Sequence, residues 1–315
     1  MAILTGAART SSVLDAPSAP LDDDDLQLAL YLSYEVHYRG LEGVPDHAEW
    51  DPAHLTWRRR IEDIFEAELD RVVGRRPVAP DQVAPTLRGL DAASTLPLAR
   101  YIEHQASLDQ VREFVTHRSA YHLKEADPHS FAIPRLSGAA KAAFVQIQAD
   151  EYGSGDAQRA HAHLFASMMT RLDLDPRYGV YLDRLPGWTL ATVNLMSLFG
   201  LHRRWRGAAV GHLALFELGS PRPNRCYGNG LRRLGFGPET TDFHDEHVAA
   251  DAVHSMIATY DLAARLAQDE PELASDIVFG AETLDHLDGI AGERMIDAWT
   301  RGESSLLPGS VSVAA

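Results

Sequence analysis

The stretch His247-Val-Ala-Ala-Asp251-Ala-Val-His254 places two imidazoles and a carboxylate at positions i, i+4 and i+7. On a helix these positions share one face. The residues between them, Val248, Ala249, Ala250, Ala252 and Val253, are small and apolar, which predicts a buried helix. Three such side chains aimed at one place from a buried helix suit a transition metal.

Four further residues sit in comparable settings. Glu125 ends Ala120-Tyr-His-Leu-Lys-Glu125, and Glu151 closes an amphipathic helix. His161 lies in Arg159-Ala-His161-Ala-His163, and Glu217 ends the apolar run from Gly211. With His247, Asp251 and His254 the set holds four carboxylates and three imidazoles on several helices. Four buried carboxylates without a cation are very costly. Two divalent ions would neutralise them while the imidazoles stay neutral. Oxygen and nitrogen donors without thiolate suit iron or manganese, and a charge-balanced diferrous pair could give electrons to O2. A ferritin-like centre needs Glu-x-x-His pairs, and the chain has none.

Plainer readings stand beside these. Glu217 could simply end a helix ahead of Gly219 and Pro221. His163 could replace His161 or serve beside it, and His122 and His244 read as surface or supporting groups. The Gly153 and Gly155 pair reads either as a plain kink or as a break that turns Glu151 and His161 toward one metal. On an unbroken helix ten residues fall about 80° short of three full turns. His202-Arg-Arg-Trp-Arg206 reads as a solvated face, or else as a clamp for a substrate carboxylate. Cys226 reads as inert.

The elements that must position these residues are helical. Three-to-four spacing marks 52–73, with Leu55, Ile61, Ile64, Phe65, Leu69 and Val72 on one face. It also predicts helices over 96–116, continuing through 119–124, and over 137–151, 156–172, 190–218 and 244–268. One or two more are expected over 271–301. Period-two alternation is nearly absent, so the expected class is all-α. Residues 1–24 are expected as a disordered tail, 25–303 as one domain (25–100 auxiliary helices, 101–303 the metal-binding core) and 304–315 as a flexible tail.

Composition excludes other classes. A net charge of −16 argues against nucleic acid and anionic membrane as partners. The single cysteine rules out an intramolecular disulfide and a thiolate zinc site. No apolar run is long enough to span a bilayer, and no signal peptide is expected. The chain is therefore expected to be cytoplasmic.

The order Glu125, Glu151, His161, Glu217, His247-xxx-Asp251-xx-His254 resembles the ligand pattern of the haem-oxygenase-like diiron oxidases and oxygenases, an iron-containing redox enzyme family. The resemblance covers roughly residues 100–260 and is closest to the branch holding the N-oxygenating domain of the streptozotocin-pathway nitrosourea enzyme. It implies a haem-oxygenase-like bundle without haem, with about seven core helices plus N-terminal auxiliary ones. It also implies that all seven residues ligate iron, two Fe in all, with O2 as co-substrate and a peroxo-diiron(III) intermediate. The implied reaction is N-oxygenation of an amine or guanidine-type nitrogen on a small metabolite of natural-product biosynthesis. An external electron donor or reductase and a homodimer through the N-terminal helices follow family habit. The helix bearing His247, Asp251 and His254 is expected to be mobile when metal is scarce. The same centre could instead carry out oxidative C–C cleavage, decarboxylation or desaturation of an amino or fatty acid. A different class, a metal-free bundle binding haem or another cofactor, would need none of the carboxylates.

Overall fold

A computed structural model describes residues 16–309. Among these residues there are helices and turns and no strand. The α-helices run in order as α1 (Asp24–Glu35), α2 (Pro52–Val72), α3 (Val83–Ala93), α4 (Pro97–His104), α5 (Leu108–His122), α6 (Asp127–Ser130) and α7 (Gly138–Glu151). They continue as α8 (His161–Arg171), α9 (Gly187–Leu201), α10 (Arg206–Gly219), α11 (Pro221–Arg233), α12 (Pro238–Met256), α13 (Arg265–Asp269) and α14 (Ala274–Thr300). A π-helical stretch, Ile257–Ala264, joins α12 to α13.

Several boundaries differ from the sequence expectation. The helix expected over 96–116 is two, because Ser107 caps α5 reciprocally with Gln110 and ends the preceding turn. The run 190–218 is likewise split at His202, whose backbone is extended. The helix expected from 156 begins at His161. The acidic run is a helix start: Asp23 accepts from the Leu26 amide, and Asp24 accepts from the Gly187 amide.

The ends of the chain also differ. Leu21 is buried and Pro20 accepts from Gln27, so the expected tail 1–24 is packed from about this point. Residues 1–15 and 310–315 of the two expected tails lie outside the described residues. Residues 304–307 are not loose. The Ser305 hydroxyl donates to Glu113 at 2.7 Å and meets His117 at 3.0 Å, and the Leu307 amide donates to the Arg184 carbonyl. Sequence hydropathy alone does not show such polar tethers.

The core sits where α10 and α14 cross. A Cβ on Gly211 would fall 1.7 Å from the Ile277 carbonyl oxygen, and one on Gly280 would fall 2.1 Å from that of Ala208. Only glycine allows backbones this close. The expected auxiliary helices share this core: α3 packs on α10 and α14, and α1 packs along α9. Asn194 of α9 donates to the Gln27 side chain and backbone of α1 with all groups buried. The His202–Arg206 cluster is held by carboxylates from elsewhere in the fold, His202 by Glu62 and Arg204 by Glu66 of α2, and Arg206 by Glu270 just after α13. Its Trp205 is a core residue, so the segment does not reach the candidate site.

Candidate metal centre

The seven sequence-predicted residues arrive from five places. Glu125 lies in the turn after α5, Glu151 closes α7, His161 opens α8 and Glu217 stands near the end of α10. His247, Asp251 and His254 share one face of α12, which is continuous across all three. The Glu125 turn is anchored by α1 and the turn after it: Lys124, fully buried, donates to Glu35 at 3.0 Å, and Arg39 donates to the Leu123 carbonyl.

The break between α7 and α8 decides how Glu151 and His161 meet. Gly153 and Gly155 have φ of 72° and 93°, in the region glycine favours. A Cβ on Gly153 would sit 2.5 Å from the Ala160 nitrogen. The reversal places His161 Nδ1 2.9 Å from Glu151 Oε2. His163, two residues on, is exposed and points elsewhere.

The seven side chains form two buried groups that share Glu151. Glu125, Glu151, His161 and His247 make one, and Glu151, Glu217, Asp251 and His254 the other. Within each group the donor atoms lie within 4.8 Å of one another. His247 Nε2 is 3.5 Å from Glu125 Oε1, and His254 Nδ1 is 3.4 Å from both Glu217 and Asp251. Glu217, the candidate for which a helix end was the plainer alternative, is 4% exposed and belongs to the second group.

Hydrogen bonds orient two of the three imidazoles, leaving the other ring nitrogen of each toward the carboxylates. His247 Nδ1–H donates to the Phe243 carbonyl at 2.7 Å, which leaves Nε2 facing Glu125. His254 Nε2–H donates to Asp150 at 3.0 Å, which leaves Nδ1 facing Glu217 and Asp251. A carboxylate or carbonyl behind a ligating imidazole fixes its orientation and raises its basicity. His122 Nδ1–H donates to Glu125 at 2.8 Å, and burial lowers its pKa.

Several inward atoms meet only one another, in charge contacts rather than hydrogen bonds. Glu125 Oε2, His161 Nδ1, Asp251 Oδ1 and His254 Nδ1 are buried without a hydrogen bond. Buried polar atoms are nearly always satisfied, so four orphans converging on two points fit bound cations. The electrostatics agree. Burial alone would lower the His247 pKa, but Glu125, then Asp251 and Glu151, outweigh it and carry it up to about 10. His254 follows the same balance, burial against Asp251, Glu217 and Asp150, and is carried up to about 11. Burial, then Asp251, pushes Glu217 well above the carboxylate range. Each shift shows negative charge in search of a positive partner.

Sequence reasoning did not name several neighbours. A cavity of about 10 Å³ between the groups, roughly one water, is also lined by Tyr121, His129 and Gln148. The Gln148 amide nitrogen is buried there without a partner. His129 is buried and bonds His212 at 3.0 Å. Only their spacing ahead of Glu151 and behind Glu125 linked them to the candidate site, and that signal is weak.

Residues 112–289 match the model of a family described as iron-containing redox enzymes. The match spans more than half the chain and all seven residues, and the chain belongs to this family. Family membership supports an oxidoreductase, and the buried His and Glu groups are consistent with a carboxylate-bridged metal site. No curated protein matches the chain. Among the described residues no helix is long and apolar enough to cross a membrane.

Proposed function

We propose that the protein is a non-haem di-iron oxygenase that uses O2 to N-oxygenate an amine or guanidine-type nitrogen of a small metabolite. The observation that carries the metal reading is the sharing of Glu151 between two buried donor groups. Two divalent ions would offset four carboxylates, and the oxygen and nitrogen donors suit iron. Glu125, Glu151, His161 and His247 would hold one ion, and Glu151, Glu217, Asp251 and His254 the other. Bound iron would supply the electrons that reduce O2, with an external donor restoring the ferrous state.

The chain's own residues supply the rest. His122 and Asp150 hold Glu125 and His254 in place, and the rings of Phe165, Phe216 and Phe243 give the approach to His247 an aromatic wall. Nitrogen as the target is supported by the resemblance of the seven-residue donor set, with its third histidine, to the N-oxygenating branch.

The test is anaerobic Fe(II) loading, addition of isotope-labelled O2, and mass spectrometry of amine- and guanidine-bearing metabolites. The expected product has gained one labelled oxygen on nitrogen. Loss of CO2 or cleavage of a C–C bond would replace N-oxygenation with oxidative decarboxylation or fragmentation. Turnover independent of iron would overturn the metal reading in favour of a metal-free cofactor-binding bundle.

A further inference from the structure

The cavity of about 10 Å³ at the candidate centre touches both donor groups. Glu125 and His247 of the first group line it, as do Glu217 and Asp251 of the second and the shared Glu151. His161 and His254 do not, so the space lies away from those two imidazoles. Its volume suits about one water or one small ion.

Gln148 brings an amide to this wall. It stands one turn before Glu151 on α7, so both side chains leave the same helix face. Gln148 is 2% exposed. Its carboxamide oxygen accepts from the Ser130 hydroxyl at 3.3 Å, which leaves the nitrogen as the free end. That nitrogen is buried and has no hydrogen bond, although four carboxylates line the same cavity. Buried donors nearly always have a partner. The partner this one lacks among the side chains is an acceptor held in the cavity itself. Charge favours an anion there. Two ferrous ions would balance the four carboxylates, whereas the oxidised pair would leave about two positive charges over, and such bound cations draw in a negative ligand.

The geometry points to a site for a single small anion, bound against both donor groups with the Gln148 Nε2–H as its hydrogen-bond donor. Hydroxide is the anion of this size that water supplies, and fluoride is its nearest match in charge and size. This rests on the metal reading proposed above and deepens it, because it gives Gln148 a role that none of the seven donors can fill. Each of those donors offers a lone pair to a cation, whereas the amide offers a proton to what the cations hold.

The experiment uses the full chain, loaded anaerobically with Fe(II), oxidised with O2 and cleared of excess iron. Fluoride is titrated in and followed by the visible absorption of the ferric ions, with iron content measured on the same samples. A hydrogen bond to a charged acceptor contributes about tenfold to a hundredfold in affinity. Gln148→Met, of similar length but without a donor, is expected to weaken fluoride by that factor while keeping two irons. Gln148→Glu keeps the shape but turns a carboxylate toward the anion, and is expected to weaken it at least as much. The reduced protein, with its charges balanced, should bind fluoride at least about tenfold more weakly than the oxidised one. A wild-type chain that holds two irons and binds no fluoride overturns the proposal and leaves the metal centre standing, and this measurement needs no variant to fold. Equal affinity in Gln148→Met, or in the reduced protein, does the same. Loss of iron from Gln148→Met also overturns it, because the amide then supports the iron ligands and not the anion. A wild-type chain that binds no iron overturns the metal reading, and this proposal with it.

Discussion

Glu151 and His161 are ten residues apart in the chain, yet His161 Nδ1 lies 2.9 Å from Glu151 Oε2. The reversal that joins them depends on Gly153, whose positive φ and 2.5 Å approach to Ala160 exclude a side chain. Gly153→Ala is expected to cost more than the ~1–2 kcal/mol of a left-handed non-glycine residue and to lower the iron content. Gly155→Ala, with φ of 93° and nothing within 4 Å, should show the backbone strain alone. Denaturant unfolding and iron analysis of the two variants decide the matter. Equal behaviour would mean the close approach does not place the ligands.

Asp150 lies outside both donor groups but accepts from His254 Nε2–H. Losing such a partner typically costs about 10–100-fold in metal affinity. Asp150→Asn is expected to weaken one of two Fe(II) ions by that factor and leave the other near wild type, as read by chelator competition. Uniform weakening of both ions, or none, would contradict the assignment.

Lys124 ties the Glu125 turn to α1 through Glu35, and both charges are buried. Removing one partner of a buried pair costs about 3–5 kcal/mol because the other charge remains. Lys124→Met should lose about that much in chemical denaturation, and adding Glu35→Gln should restore most of it. If the double variant is no more stable than the single one, the uncompensated charge is not the cause.

The helical class and the α12 face were legible because periodicity reports which side of a helix is buried. Leu55, Ile61, Phe65 and Leu69 face inward as their spacing predicts, apart from Leu55, which is only partly buried. His247, Asp251 and His254 needed only one helix to meet. Helix ends were less legible, although Ser107 and Gln110 carried a capping-box signal. The roles of Asp150, His129 and Gln148 were invisible, because each depends on a neighbour more than a hundred or several tens of residues away, or on a cavity. Likewise, the ion pairs that occupy His202 and Arg204 exist only once α2 packs beside them, and that of Arg206 only once Glu270 comes near.

The packing of the C-terminal segment gives a pH prediction. His117 is buried between Thr189 at 2.7 Å and Ser305 at 3.0 Å, and burial lowers its pKa to about 3. Between the unfolded value near 6.5 and about 3, the unfolded chain binds a proton that the native chain refuses. Stability from this group is therefore present above the unfolded value and falls with pH through the window, with a slope of ~1.4 kcal/mol per pH unit. His117→Gln should flatten the decline by about that slope in unfolding measured across the window. An unchanged slope would assign the acid sensitivity to other groups, His129 first among them.

The central claim is that Glu151 joins two metal positions. Anaerobic Fe(II) titration followed by quantitative iron analysis tests it most directly. The account predicts two irons per wild-type chain, one in His161→Ala, one in His254→Ala, and loss at both positions in Glu151→Ala. A wild-type chain that binds one iron or none, or a Glu151→Ala chain that keeps two, would contradict it.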